Sequence, residues 1–255
     1  MFIASVQILA QLAASLTGPG VSKELATARA AQISNVRYAL NLDVTRRDTA
    51  YGSARIRFAR RGGGDVILDF RGPTLVKPDG VEWNGAHVRV PEQALGTGGE
   101  GVLTFDFTAL VAPAGASVIR VRDAADQRDY LYTLLVPADA NQLFPCFDQP
   151  DLKARTTLSL VVPNGWSAVS NGALADSAAG ERATTFRFAE SRPISTYLIG
   201  FAAGPWTRIT RSASGRAITL YVRASRARWR GAPSRCTSGA RAFRSSAPTP
   251  TASSR

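Results

Sequence analysis

Histidine is almost missing from these 255 residues: there is one, His87, with two cysteines, Cys146 and Cys236, and one methionine, Met1. Two distant cysteines imply no disulfide framework, and a single histidine far from both offers no local zinc spacing. A cysteine nucleophile would have to meet His87 across space, and a lone histidine just past a hairpin turn is expected at the surface. Cys146, set beside Phe144 and Phe147, reads as a small buried hydrophobe. No apolar run is long enough to span a membrane, since the uncharged residues 1–16 fall short of that length. They suit either an export leader over residues 1–21, destined for the periplasm or the exterior, or a loose helix on a cytoplasmic protein. Against export, no Lys or Arg precedes Lys23, and Ala13-Ala-Ser15 is only a faint cleavage signal. A phosphate-binding loop is also missing: Gly62-Gly-Gly64 leads into a strand, whereas a phosphate loop must open a helix whose amides face the anion.

The hydrophobic fraction of 45% is ample for a buried core. The net charge of +12 is unevenly spread: eight arginines and no acid or lysine lie in residues 223–255, leaving +4 for the 222 residues before them. That body has the charge of an ordinary globular domain, and the stretch after it carries only Trp229 and Phe243 as aromatics. A stacking platform is therefore lacking, and no nucleic-acid partner is expected.

Ser22 followed by Lys23-Glu-Leu-Ala-Thr-Ala-Arg-Ala-Ala-Gln32 has an N-cap, an acid in the first turn and good helix formers, which predicts a short helix. After it the period changes to two. Tyr38, Leu40, Leu42 and Val44 alternate with polar or small residues, as do Ala54, Ile56 and Phe58, the pattern of half-buried strands. About a dozen such strands follow, among them 66–70, 81–83 and 88–90 around the hairpin dipeptide Asn84-Gly85, 102–107, 118–121, 157–162, 184–188 and 218–222. The expected fold is an all-β, saddle-like or sandwich domain of mostly antiparallel strands over residues 22–222, with one short N-terminal helix.

The longest stretch without clean alternation is 123–153, and long ordered connections in β proteins commonly carry function. Pro137, Pro145 and Pro150 fix its direction. Asp148 and Asp151 flank Gln149-Pro150, close to Lys153 and Arg155, which favours charged, paired carboxylates in Asx turns over a catalytic acid and base.

Its core, Phe144-Pro-Cys-Phe-Asp-Gln-Pro-Asp151, resembles the N-terminal domain of M1 zinc aminopeptidases. So do Pro19-Gly-Val-Ser-Lys-Glu-Leu-Ala26, Val36-Arg-Tyr38 with Leu40, Leu68-Asp-Phe70, Trp83-Asn-Gly85, Val169-Ser-Asn-Gly172 and Pro193-Ile-Ser-Thr-Tyr-Leu-Ile-Gly-Phe-Ala-Ala-Gly204, in the family's order. The resemblance implies a β domain docked beside a thermolysin-like catalytic domain and lining one wall of the substrate cleft. In many members a Thr-Gln-x-Gln or Thr-Gln-x-Glu stretch supplies polar contacts to that cleft. The matching positions here follow Thr133 and fall on Leu134 and Val136, both apolar, so the amine contact is in doubt. An aliphatic wall remains open, with core packing as the alternative. No catalytic residue and no metal ligand is assigned to this chain. The family binds zinc through a His-Glu-x-x-His helix and a distant Glu, and neither that helix nor the substrate motif Gly-Ala-Met-Glu-Asn occurs in these residues.

From residue 223 onward there is no Val, Ile, Leu or Met after Val222, which predicts disorder. The abrupt change is what a shifted reading frame in GC-rich coding sequence produces. Reading 246–254 from the third base of each codon permits Arg-Pro-Tyr-Pro-Tyr-Gly-Lys-Leu, similar to the start of the family's catalytic domain. The expectation is thus an N-terminal aminopeptidase domain followed by a frameshifted tail, inactive by itself. Its partners would be the missing catalytic domain and, in that context only, a peptide. A free-standing β-sandwich that binds other proteins is the alternative.

Overall fold

In the computed structural model, which describes residues 18–96 and 98–227, the predicted helix is α1 (Lys23–Gln32), its first turn closed by the Ser22 hydroxyl accepting the Leu25 N–H at 3.1 Å. Only Leu25 and Arg29 of the helix are buried, so it acts as a clasp on the sheet rather than as a core layer.

Ten strands run in one path across the main sheet. In spatial order they are β11 (Ser167–Ser170), β14 (Phe201–Gly204), β9 (Asp129–Thr133), β8 (Val118–Arg122), β7 (Glu100–Ala112), β2 (Thr49–Arg60), β1 (Ile33–Asp43), β10 (Ala154–Pro163), β13 (Ala183–Phe188) and β12 (Leu174–Ala179). A short β4 (Thr74–Val76) adds to β7. Pairing is antiparallel except between β1 and β10 and between β7 and β8. A second sheet of three strands, β3 (Val66–Asp69), β6 (His87–Val90) and β5 (Glu82–Trp83), stands apart. Its Val66, Leu68, Val88 and Val90 share one hydrophobic core with Tyr38, Leu40, Ile56, Phe105 and Leu160 of the large sheet, which is the layered β domain that the period-2 pattern predicts. Alternation is strict in β7, where Leu103, Phe105, Phe107, Ala109 and Val111 are buried and the residues between them are not.

Two positions show why particular glycines are required. Gly85 takes φ +88° in the Asn84-Gly85 turn, where the Asn84 carboxamide oxygen accepts the N–H groups of Ala86 and His87. A methyl group on Gly172 would lie 1.9 Å from the Ala189 carbonyl oxygen, so no larger residue fits without moving backbone.

A separate hairpin, β15 (Thr207–Ala213) and β16 (Arg216–Val222), closes through Ser214 and Gly215, both at positive φ as a type I′ turn demands. Its Ile218 and Leu220 are exposed. Contacts continue past Val222: the Ala224 N–H donates to the Tyr130 hydroxyl at 3.0 Å, and the Ser225 hydroxyl donates to Asp123 at 2.8 Å. Residues 1–17 of the suggested leader over 1–21, Cys236 and the rest of the arginine-rich stretch from 228 lie outside the described residues.

Candidate functional site

The family-like motif is an anchor, and its centre is Asp69 at the end of β3. The Asp69 backbone and the Cys146 backbone exchange hydrogen bonds of 2.7 and 3.1 Å, splicing the 123–153 connection onto the small sheet. The two Asp69 carboxylate oxygens then accept from four donors. Arg29 of α1 supplies two N–H groups at 2.7 and 2.8 Å, His87 Nδ1 sits at 2.9 Å, and the Asp148 backbone N–H reaches it at 2.9 Å. Arg29 spends its Nε–H on the Ile67 carbonyl, and His87 Nε2 faces the Gly18 carbonyl at 3.0 Å. His87 is therefore buried and bonded at both ring nitrogens, which corrects the expected surface position. Its side chain turns inward at the first residue of β6 because the Asn84 turn aims it at Asp69.

The rest of the motif is locked as thoroughly. Tyr38 Oη accepts the Phe147 N–H at 2.9 Å, and its ring meets Phe144 edge-on at 5.2 Å. Thr196 donates to the Phe147 carbonyl, Ser195 to that of Pro150, and the Gln149 carboxamide to that of Ala26. Cys146 is a fully buried free thiol, as its aromatic neighbours suggested, and desolvation followed by the nearby Asp148 and Asp69 carboxylates pushes its pKa far up. A thiol so held is not a nucleophile.

Asp148 differs from its expected role. It makes no ion pair with Lys153 or Arg155; Arg155 instead faces Glu190 at 3.7 Å. Its carboxylate accepts the Asn141 backbone N–H at 3.1 Å and the Asn141 carboxamide at 2.7 Å, tying the two ends of the 141–148 turn. Asp151 is exposed, and no side-chain Asx bond forms at either acid among the described residues.

Burial, the largest influence on Asp148, raises its pKa, the Asn141 bonds oppose this, and Asp69 adds to the rise. Burial is also the largest influence on Asp69, but the charge of Arg29 and the hydrogen bonds from His87, Arg29 and Asp148 outweigh it and hold the pKa below the ordinary value. Two acids driven apart in this way would suit acid and base roles. At 3% and 4% exposure they leave a substrate no approach, so the pair is structural.

The three cleft-wall candidates sit at the other end of the connection. Thr133, at the end of β9, is half-buried, and its hydroxyl accepts the Phe201 N–H at 3.1 Å. Beyond it Leu135 is buried at 2% exposure while Leu134 and Val136 stand 52% and 55% exposed, which corrects the core-packing alternative. Tyr132, two residues before Leu134, is also exposed, so alternate positions 132, 134 and 136 are all uncovered. Their backbone is held firmly: the Leu134 N–H donates to Ser117, and the Asp139 N–H to Leu135. The neighbouring β14 entry is braced by Asn171, which accepts the Gly200 N–H at 2.7 Å and donates to the Leu198 carbonyl at 3.0 Å. Leu198 is itself half exposed.

Zinc does not fit these side chains. Among the described residues no three His, Cys, Asp or Glu converge to hold a metal ion. Cys146 is sealed, and both nitrogens of His87 already face oxygen acceptors.

With this layered β domain and its bolted connection in view, residues 81–198 match the family model described as Peptidase M1 N-terminal domain. The chain carries the N-terminal domain of the M1 peptidase family. It is 28% identical over 200 residues to aminopeptidase N of Streptomyces lividans, covering 75% of this chain and 23% of that protein. Human glutamyl aminopeptidase is 40% identical over 88 residues, 34% of this chain and 9% of that one. Rice aminopeptidase M1-B is 32% identical over 127 residues, 49% of this chain and 14% of its own length. The chain thus spans less than a quarter of these relatives.

Proposed function

We propose that the domain forms one wall of the peptide cleft of a zinc aminopeptidase, with Leu134 and Val136 meeting an apolar side chain of the substrate. The observation that carries this is the exposed aliphatic pair on backbone that is fixed on both sides. Exposed apolar side chains on rigid backbone favour apolar ligands because burial of each adds roughly 1.5–3 kcal/mol. Thr133 is a positioning residue: its hydroxyl is engaged with β14 and keeps the wall aligned.

The zinc ligands and the general base would come from a catalytic domain of the same family rather than from the residues of this domain. When bound there, the metal supplies an activated water for peptide hydrolysis. By itself the chain is inactive, and purified protein should show no zinc-dependent hydrolysis of leucyl-arylamide.

A hybrid in which residues 18–222 replace the matching part of Streptomyces lividans aminopeptidase N tests the wall directly. Leu134→Gln with Val136→Glu should lower kcat/KM for leucyl-arylamide by about tenfold relative to arginyl-arylamide, the size expected for losing apolar pocket contacts. An active hybrid whose preference is untouched by both changes would sink the proposal.

A further inference from the structure

Where the β1–β2 turn meets the ends of β7, β8 and β9, a cavity of about 460 Å³ opens. One part of its wall is apolar, made by Val111, Ala112, Pro113 and Val121. The other part sets three guanidinium groups, Arg47, Arg120 and Arg122, against two carboxylates, Asp48 and Asp129, which leaves one positive charge uncompensated.

The pairing within that wall is loose. Asp129 is shared, at 3.4 Å from Arg120 and 3.3 Å from Arg122, both longer than the 2.7–2.9 Å of a strong charged hydrogen bond. Arg120 is largely buried, donates from Nη2 to the Arg46 carbonyl at 2.7 Å, and has no acceptor for its Nε–H among the described residues. Its guanidinium lies over the Trp166 ring at 5.9 Å, which fixes its position. Arg47 is exposed and pairs with no carboxylate among the described residues. Desolvation holds the Arg120 pKa below its ordinary value and the charge of Arg47 adds to this, while Asp129 and Asp48 act in the opposite direction.

We propose that this cavity binds a small monocarboxylate with an apolar body, its carboxylate between Arg47 and Arg120 and its hydrocarbon against Val111, Pro113 and Val121. One negative charge balances the wall, and a planar carboxylate suits guanidinium donors. A phosphate dianion would be repelled by Asp48 and Asp129 once the single excess charge is met. A protonated amine is repelled by the excess positive charge, and an alcohol leaves it unneutralised.

The experiment is calorimetric titration of the full chain with phenylacetate, beside inorganic phosphate, phenethylamine and benzyl alcohol. Saturable binding is expected for phenylacetate alone, weakened at least tenfold by Arg47→Gln and by Arg120→Gln. Arg47 is an exposed turn residue, so its variant keeps the fold, which an unchanged thermal midpoint verifies, and it decides the matter should the Arg120 variant not fold. Phenylacetate binding unchanged in Arg47→Gln, equal binding of phosphate or benzyl alcohol, or no saturable binding at all would each overturn the assignment.

Discussion

The two ends of the connection after β9 differ in almost every physical respect. Around Phe144–Asp148 nearly every polar group is bonded, the aromatic rings pack edge to face, and an ion pair is buried. At Leu134 and Val136 the backbone is equally fixed but the side chains meet solvent. The distinctive motif is thus the fastening, while the surface offered to a ligand is a plain aliphatic pair. In a β domain of this kind, residues that look unusual in sequence are those that must satisfy buried polar groups, since each unmet group is costly.

The sharpest way to break that contrast is Asp69→Ala, which strands the Arg29 guanidinium and frees His87 and the Asp148 N–H. A loss of about 3–5 kcal/mol is expected, read as a lower midpoint in urea unfolding. Tyr38→Phe removes the acceptor of the Phe147 N–H and should cost about 1–3 kcal/mol in the same measurement.

The two buried acids give opposite pH dependences. Asp69 has a folded pKa below its unfolded value, so its contribution is complete above about pH 4 and is lost as pH falls through the folded value. Asp148 has a raised folded pKa, so its contribution is present below the unfolded value and is lost as pH rises through the folded one. Stability measured against pH should therefore slope downward just above pH 4, and Asp148→Asn should flatten that slope while leaving the acid collapse due to Asp69.

The smallest effect belongs to the other end. Leu134→Ser and Val136→Ser should each change stability by no more than about 0.5 kcal/mol, as surface replacements do. A loss above about 2 kcal/mol in unfolding would show that these side chains pack, and the contrast would dissolve.

Much of the fold was legible because burial on one face of a strand writes itself as alternation: β1, β2, β7 and β10 announce themselves in that way. The helix was legible from its Ser22 cap. Among what could not be read were β9, five residues inside the 123–153 stretch that shows no clean alternation, and β12, an edge strand whose six residues are all exposed and whose Ala, Ser and Asp carry no apolar face. His87 was misplaced for a related reason. The turn before it is legible, but the carboxylate that draws the ring inward comes from another strand, 18 residues earlier. The Arg29–Asp69 pair spans 40 residues and leaves no local trace either, beyond an arginine on the helix face that Leu25 also uses. The exposed pair at 134 and 136 was placed by resemblance, and only its surroundings show that Leu135 alone points inward.

The Asp69 fastening also sets an order of events in folding. It draws on α1, on β6 and on the connection, and its neighbouring bonds join Tyr38 to Phe147 across 109 residues and Ala26 to Gln149 across 123. Closing loops of that length is entropically slow, so contacts of this range form late and place the domain among high-contact-order folders. During synthesis the helix and the first strands must wait, with their apolar faces uncovered, until Gln149 has left the ribosome.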